Sequence, residues 1–315
     1  MLNLLRIILV IAVVGGVVVG FYIWRQTQGV SPATLEAKYM TPADRFVEIS
    51  GARVRVREEG PKDAPPLVLL HGFSYSLETW DAWAKALSGR YRVIRYDLLG
   101  HGLTGPDAKK RYSPAARAAF IGDVLDALGL DSAYIGGNSL GGLAAWKFAA
   151  AHPERVRGLV LVSPAAYPTN GVGDNPVEPP KAMAVYLRTA PPAGVRASAG
   201  IVFADDSKVS AARLVVLRDM MRRRGNGEAM IESIRQFVLP DPTEDLAKIT
   251  APTLILWGSE DAVISVEQAA KLESAIKNAR LIIYDGVGHA SQEEAPDISA
   301  RDAGVFLDAL VAGTN

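Results

Sequence analysis

The chain has 315 residues, which is long enough for one sizeable domain with an insertion and too short for two ordinary catalytic domains joined by a linker. Hydrophobic residues make up 49% and charged residues 22%, a balance that excludes an intrinsically disordered chain. Basic and acidic side chains both number 34, so no overall positive field exists to bind nucleic acid, and the absence of cysteine excludes disulfides, thiolate nucleophiles and zinc sites with sulfur ligands.

The first segment differs from the rest of the chain because it is apolar and uncharged. No charged residue occurs from Ile7 to Trp24, and this length approaches the ~20 residues that a helix needs to cross ~30 Å of hydrocarbon. Arg6 and Arg25 flank the segment, which predicts a single-pass membrane anchor at the amino terminus. A cleaved signal peptide is the alternative, but its apolar core usually has only about 7 to 15 residues and ends at a small-residue cleavage site, which is not evident here.

Further along, the pattern of hydrophobic residues predicts a sheet with helices on both faces. Phe46 to Ser50 and Arg53 to Glu58 alternate apolar with polar residues around Gly51, as in a half-exposed antiparallel hairpin. Short, wholly apolar runs then alternate with helical segments, which predicts a mostly parallel, eight-stranded α/β sheet flanked by helices. The apolar runs are Pro66 to Leu70, Val93 to Tyr96, Ala133 to Gly136, Leu159 to Val162, Thr253 to Trp257 and Leu281 to Tyr284.

This alternation stops from about Tyr167 to Pro242. No strand pattern occurs there, and proline clusters separate helix-like pieces such as Ala211 to Arg223 and Glu228 to Phe237. We therefore expect an inserted helical lid. The predicted organisation is a transmembrane anchor at 1–25, a linker at 26–45, the first part of the core at 46–166, the lid at 167–243 and the second part of the core at 244–315.

The sequence Gly-Asn-Ser-Leu-Gly at Gly137 to Gly141 directly follows an apolar run and directly precedes an alanine-rich helix. In this G-x-S-x-G pattern, a tight strand-to-helix turn exposes the serine hydroxyl, and a side chain at either glycine would collide with the neighbouring strand or helix. The amino terminus of the helix also favours a developing oxyanion. A chance match is the alternative in a chain with 29 glycines, but the flanking strand and helix favour Ser139 as a nucleophile.

Four histidines are available to take the proton of the Ser139 hydroxyl. Histidine suits that task because its unperturbed pKa of ~6.5 lies near working pH. Three have structural explanations, since His71 opens a loop after a strand, His101 lies in a glycine-flanked turn and His152 precedes a proline at a helix end. His289 lies between the last apolar strand and the last helix, at the carboxyl edge of the sheet, and we predict that it is the base.

Such a base needs an acceptor that holds its tautomer. Asp261 follows the preceding apolar strand at the same edge of the sheet, and we predict that it orients His289. Glu260 is the competitor, but its side chain would belong to the turn, and a plain helix cap is the alternative role for Asp261. The predicted oxyanion donors are the backbone N–H groups of Phe73, in the loop after the first buried strand, and of Leu140, at the start of the helix.

Five motifs stand in the order and at the spacing of one known family: His-Gly-Phe at His71, Asp-Leu-Leu-Gly-His-Gly at Asp97, Gly-Asn-Ser-Leu-Gly-Gly at Gly137, Trp-Gly-Ser-Glu-Asp at Trp257 and Gly-His-Ala-Ser-Gln-Glu-Glu-Ala-Pro at Gly288. Because of these five motifs, the chain from about Phe46 to Val311 resembles the α/β-hydrolase superfamily. The resemblance implies an α/β-hydrolase fold with a triad in the chain order Ser139, Asp261, His289.

Members of this superfamily catalyse several reactions. The central residue of the G-x-S-x-G turn, the nucleophile elbow, distinguishes some of these enzyme classes from others. Epoxide hydrolases and dehalogenases use an aspartate there, whereas this chain has Ser139. Asn138 keeps carbon-carbon bond hydrolases of the meta-cleavage-product type as an alternative. Those enzymes usually carry a glycine-rich oxyanion loop and a tryptophan after the histidine, where this chain has Phe73, Ser74 and Ala290. The resemblance therefore implies a carboxylesterase or lipase-like serine hydrolase that forms an acyl-enzyme on Ser139.

That reaction needs no metal and no organic cofactor. The predicted partners are a small, apolar ester molecule and, through the N-terminal helix, a membrane, while nucleic acid is not a predicted partner. A catalytically silent member that uses the fold for binding is a further alternative. However, the three reactive residues are all present, and so is the loop after the first buried strand that carries Phe73, which we call the donor loop.

Overall fold

The computed structural model describes residues 13–18, 20–21, 28–169 and 171–313. Eight strands of this part form one sheet in the order β1-β2-β4-β3-β5-β6-β7-β8. Strand β2 is antiparallel to its neighbours β1 and β4, and the other pairs are parallel. The prediction of a mostly parallel, eight-stranded sheet is confirmed. The strands are β1 Asp44–Ile49, β2 Ala52–Glu59, β3 Pro66–Leu70, β4 Arg92–Tyr96, β5 Ala133–Asn138, β6 Val156–Val162, β7 Thr253–Gly258 and β8 Ala279–Tyr284.

The central strands read as continuous apolar runs because both of their faces are covered. In β3, Val68 and Leu70 belong to the hydrophobic cluster on one face of the sheet, and Leu67 and Leu69 belong to the cluster on the other face. This alternation follows from the two-residue repeat of a strand, in which successive side chains point to opposite faces.

Helices cover both faces of the sheet. Helices α3 and α4 contribute to the first cluster through residues such as Phe120 and Trp146. Helices α2 and α12 contribute to the second through Trp83 and Leu307. The helices are α1 Pro32–Tyr39, α2 Asp81–Leu87, α3 Pro114–Ala127, α4 Leu140–Ala151, α5 Lys181–Thr189, α6 Pro192–Val202, α7 Ala211–Arg222, α8 Asn226–Arg235, α9 Thr243–Leu246, α10 Glu267–Ala275, α11 Ser291–Glu294 and α12 Pro296–Ala312, and short 3-10 turns lie at Leu77–Trp80, Pro153–Arg155 and Asp206–Lys208.

Helices α5 to α8 lie between β6 and β7 in the chain, and we call them the inserted helices. They have a hydrophobic cluster of their own, which includes Leu187 of α5, Val195 of α6, Leu217 of α7 and Met230 of α8. Tyr75, from the loop after β3, belongs to the same cluster. The inserted helices are therefore packed together and against the carboxyl edge of the sheet.

Helix α1 lies in the stretch that the sequence pattern predicts as a linker. Ser31 caps it by accepting a hydrogen bond from the N–H of Thr34, and Pro32 occupies its first turn, where no N–H is needed. Leu35 is buried and packs against Leu103 and Met220. Part of the predicted linker is thus a helix that is docked on the domain.

The predicted membrane anchor falls largely outside the described residues. Of the segment from Ile7 to Trp24, the structure describes only 13–18 and 20–21, which are helical, and the side chains of Val13 and Val17 there are exposed. Within the part of the chain that the structure describes, no helix has the length and apolar character to span a membrane. The anchor therefore stays a prediction.

Candidate active site

The serine of the G-x-S-x-G sequence lies in the turn between β5 and α4. Its backbone has φ 53° and ψ −115°, a conformation that L-residues rarely adopt and that costs on the order of 1–3 kcal/mol. The turn is held because the N–H of Ser139 donates to the carbonyl of Val162 at 3.1 Å and the N–H of Leu143 donates to the Ser139 carbonyl at 2.9 Å. A Cβ at Gly137 would lie 2.5 Å from the backbone of Gly141, so the turn can close only with glycine there.

The predicted base and its orienting residue are in direct contact. The Nδ1 atom of His289 lies 2.8 Å from Oδ2 of Asp261, and both side chains are buried. The other oxygen, Oδ1, accepts the N–H groups of Val263 and Ile264 at 2.9 Å each, which fixes the carboxylate. The competitor, Glu260, is exposed. The structure therefore places Asp261 against the imidazole and keeps Glu260 in the turn.

Ser139 and His289 border the same cavity, which has a volume of about 180 Å³. Because Nδ1–H donates to Asp261, Nε2 of His289 is left as a hydrogen-bond acceptor. This Nε2 atom is buried, and within the described chain it has no hydrogen-bond partner. The acceptor nitrogen is thus available to a hydroxyl group in the cavity.

One of the two residues that carry the predicted oxyanion donors lines this cavity, and the other directly follows Ser139 in the chain. Phe73 lines it, and Leu140 begins helix α4, whose amino terminus carries a partial positive charge. Neither N–H group donates a hydrogen bond to another described atom. A Cβ built on Gly72 would lie 3.3 Å from Cβ of Ser139, which shows how closely this loop approaches the elbow. The arrangement leaves two free donors beside the serine.

The other histidines occupy structural positions. The Nδ1–H group of His71 donates to the carbonyl of Gly72 at 2.7 Å, and its Nε2 accepts the N–H of Leu98 at 3.0 Å, so this side chain ties the donor loop to the loop after β4. Burial lowers the pKa of His71 to about 3 and holds the pKa of His101 well below its ordinary value. His152 lies at the carboxyl end of α4. Of the four histidines, His289 borders the cavity.

Two further residues hold the loop that carries His289, and the sequence pattern did not single out these roles. The side-chain amide of Asn138 donates to the carbonyls of Val162 and His289, both at 3.1 Å. The carboxylate of Glu294 is fully buried and accepts the N–H of Gly288 at 2.7 Å. The sequence offers one signal for Glu294, which is its position five residues after His289. This signal is weak, because the register of α11 decides whether an acidic side chain at a given position there is buried.

Glu294 also connects the histidine loop to the inserted helices. Its oxygens accept the N–H groups of Ala204 and Asp205, which follow helix α6, at 3.1 and 2.9 Å. In addition, the N–H of His289 donates to the carbonyl of Val202, the last residue of α6, at 2.7 Å. The position of the predicted base is therefore coupled to the position of α6.

An ion pair joins helix α7 to the same region. The guanidinium of Arg213 donates to both carboxylate oxygens of Glu293, at 2.6 and 2.8 Å. Burial alone would lower the pKa of Arg213, but the negative charge of Glu293 outweighs that effect and raises it. As for metal ions, the described residues contain no group of three or more histidines, aspartates and glutamates that could bind one.

Comparison with known proteins decides the family. A model of the alpha/beta hydrolase fold matches residues 65–296, which span the sheet from β3, the elbow, the inserted helices and the histidine loop. The chain belongs to this family. Its membership confirms the predictions of an α/β-hydrolase fold and of a hydrolase.

Individual relatives cover most of the chain. Lipase 3 of Moraxella sp. (strain TA144) is 30% identical over 299 residues, which cover 89% of this chain and 87% of the lipase. A 2-hydroxy-6-oxononadienedioate/2-hydroxy-6-oxononatrienedioate hydrolase of Burkholderia vietnamiensis is 29% identical over 270 residues, which cover 82% of this chain and 91% of that enzyme. Among solved structures, a membrane phospholipase A is similar, with a TM-score of 0.72, 26% identity and 98% of both chains covered.

Proposed function

We propose that the protein is a serine hydrolase that cleaves carboxylic esters, as a carboxylesterase or lipase-like enzyme. Ser139 is the nucleophile, His289 is the general base and Asp261 orients the imidazole. The observation that carries this proposal is the position of His289, which contacts Asp261 through Nδ1 and borders the cavity of Ser139 with its other nitrogen free. The lipases among the relatives support the choice of an ester.

The reaction would proceed in two half-reactions. In the first, the hydroxyl of Ser139 attacks the ester carbonyl while Nε2 of His289 takes its proton, and the N–H groups of Phe73 and Leu140 donate to the developing oxyanion. The imidazolium then gives the proton to the leaving alcohol, and the acyl group stays on the serine. In the second half-reaction, water attacks the acyl-enzyme with the same proton transfers and releases the acid.

The test labels the purified protein with a fluorophosphonate probe and measures hydrolysis of p-nitrophenyl esters. We expect Ser139→Ala to abolish labelling and to reduce kcat by at least about 10³-fold. Ser274→Ala, an exposed serine on α10, is the control and should label like the wild type. A wild-type protein that neither labels nor turns over any ester would contradict the proposal and favour a catalytically silent binding protein.

A carbon-carbon bond hydrolase is the second candidate, because the relative from Burkholderia vietnamiensis is named for such a reaction. Its named substrate carries two carboxylates. In the described structure, no lysine or arginine lines the cavity beside Ser139, so a dianionic substrate would lack a charged partner there. This observation favours the neutral ester. A dienone carbon-carbon substrate that was turned over faster than any ester would reverse the order of the two candidates.

The inserted helices are proposed to act as a lid, corresponding to the predicted range 167–243. Helices α6 and α7 supply side chains that line the cavity on the side opposite the sheet, which supports this role. A lid of this kind would exclude water from the reacting ester.

We also propose that the uncharged segment from Ile7 to Trp24 attaches the enzyme to a membrane. The support is its composition and length together with the similarity to a membrane phospholipase A. The test compares the full chain with a chain that begins at Gln28. We expect only the full chain to sediment with membranes after a sodium carbonate wash. Equal release of both proteins into the supernatant would contradict the anchor.

A further inference from the structure

The cavity beside Ser139 is small for an enzyme that would accept long lipid chains. Its volume is about 180 Å³, whereas pockets for drug-sized ligands have ~300–1,000 Å³. An apolar cavity of ~150 Å³ is large enough for benzene, which has six carbon atoms. By that measure, this cavity holds about six or seven non-hydrogen atoms.

The wall opposite the sheet is apolar and comes from two of the inserted helices. Val195, Ala199 and Val202 recur on one face of α6 at the spacing of successive helical turns. Leu217 and Met221 do the same on α7 and are only 4% and 3% exposed. Because these side chains are packed within the hydrophobic cluster of the inserted helices, their sizes determine how far the cavity extends.

Two polar side chains of the lining are already bonded to other parts of the protein, whereas the buried hydroxyl of Tyr75, which also lines the cavity, has no hydrogen-bond partner among the described residues. The hydroxyl of Ser198 donates to the carbonyl of Val195 at 2.9 Å and lies 2.7 Å from the Tyr186 hydroxyl. The amide nitrogen of Asn138 donates to two backbone carbonyls. Apart from His289, no ionisable nitrogen or carboxylate belongs to the lining residues that the structure describes. A charged group would therefore be desolvated in this cavity without a partner, which favours a neutral, apolar group.

The acyl group fits this cavity better than the alcohol group does. The acyl group becomes attached to Ser139 in the first half-reaction and stays there until water releases it in the second, so it occupies its pocket during both chemical steps and water does not have to enter that pocket. The alcohol, by contrast, leaves after the first half-reaction, and water must then reach the acyl carbon from the side that the alcohol has vacated. A walled, apolar cavity next to the serine matches the first of these two roles.

We propose that this cavity is an acyl pocket for neutral, unbranched acyl groups of up to about six or seven non-hydrogen atoms, and that Leu217 and Met221 set this limit. The inference rests on the proposed ester hydrolysis and makes the enzyme a short-chain carboxylesterase. Longer acyl chains would have to displace the packed side chains of α7, which costs free energy at every added methylene.

The experiment measures kcat/KM for p-nitrophenyl acetate, butanoate, hexanoate, octanoate and dodecanoate, so that only the acyl chain changes. For the wild type we expect a maximum at butanoate or hexanoate and a fall of at least about tenfold at dodecanoate. Leu217→Ala and Met221→Ala should move the maximum two to three carbons longer, because each removes side-chain atoms from the wall. Val215→Ala, an exposed position on the same helix, is the matched control and should leave the profile unchanged.

A filling variant tests the opposite direction. Ala199→Val adds two methyl groups to the α6 wall and should move the maximum toward acetate. Fluorophosphonate labelling of Ser139 in every variant reports whether the fold and the nucleophile are intact. A wild-type profile that rises up to dodecanoate, or a maximum that stays in place in all three wall variants, would overturn the acyl pocket while leaving ester hydrolysis standing. Failure of every ester together with the absence of labelling would instead refute the proposed function itself.

Discussion

The imidazole of His289 depends on one specific contact for its orientation. Asp261 has both carboxylate oxygens engaged, one by the imidazole and the other by two backbone N–H groups, so it cannot rotate without losing hydrogen bonds. If the carboxylate fixes the tautomer that leaves Nε2 free to accept a proton, an amide of the same shape should allow the wrong tautomer.

We predict that Asp261→Asn lowers kcat for p-nitrophenyl butanoate by about 10⁴-fold with little change in the thermal unfolding midpoint. The physical reason is the loss of the acceptor for Nδ1–H, while the shape of the side chain is retained. Glu260→Gln, at the exposed neighbouring position, is the control and should keep the wild-type kcat. A large loss in the control with activity retained in Asp261→Asn would show that the orienting residue had been assigned wrongly.

Glu294 offers a test of positioning that does not touch the substrate. Its carboxylate accepts three backbone N–H groups, and hydrogen bonds to a charged acceptor are roughly twice as strong as neutral ones. We predict that Glu294→Gln lowers kcat by about 10- to 100-fold, because a small displacement of His289 costs that much, while KM changes less than about threefold. Steady-state kinetics of this variant beside Glu267→Gln, a position in the first turn of α10, would show whether the loss is confined to kcat.

At the scale of elements, the elbow depends on how closely α4 approaches β3. A Cβ at Gly141 would lie 2.4 Å from the carbonyl oxygen of Leu70 and 2.6 Å from that of His71. Both contacts are with backbone, which cannot rotate away as a side chain does. The strand, the turn and the helix would have to separate to admit a methyl group.

We predict that Gly141→Ala destabilises the protein by about 1–3 kcal/mol or more, as overpacking does elsewhere. Gly122→Ala in α3 is the matched control, because its Cβ would lie 3.4 Å from the Phe148 ring, which is ordinary contact. Alanine also favours a helix interior over glycine by roughly 0.5–1 kcal/mol, so this variant should be slightly more stable. Urea unfolding of both variants measures the opposite signs, and equal effects would contradict the steric account.

The elements that the sequence predicts well are those whose pattern has one physical cause. The run at Pro66 to Leu70 coincides with β3 because a strand buried on both faces needs apolar residues throughout. The sequence pattern does not predict helix α1, because its single buried residue, Leu35, leaves almost no hydrophobic repeat in a polar stretch. The capping Ser31 and the following Pro32 were the available signal.

At the scale of the whole molecule, the candidate site is assembled from loops at the carboxyl edge of one sheet. Ser139, Asp261 and His289 could be selected from the sequence because each follows a recognisable strand and belongs to a short list of residues with the right chemistry. The wall formed by Leu217 and Met221 could not be selected in this way. Its composition depends on how the inserted helices pack, and many apolar faces of those helices have a similar sequence pattern.

The same burial that positions the donor loop makes the fold sensitive to acid. The pKa of His71 is lowered to about 3 and that of His101 lies well below its ordinary value, because burial disfavours the charged ring, whereas in the unfolded chain both bind a proton below a pH of ~6.5. The unfolded state therefore binds more protons, and for His71 stability falls by up to about 1.4 kcal/mol per pH unit as the pH drops from ~6 toward ~4, with His101 acting in the same direction. We predict that His71→Gln reduces this slope by about one proton in urea unfolding at pH 6.5, 5.5 and 4.5, while the control His152→Gln leaves it closer to the wild type. A slope in His71→Gln as steep as that of the wild type would contradict the role of a neutral, buried imidazole in holding the donor loop.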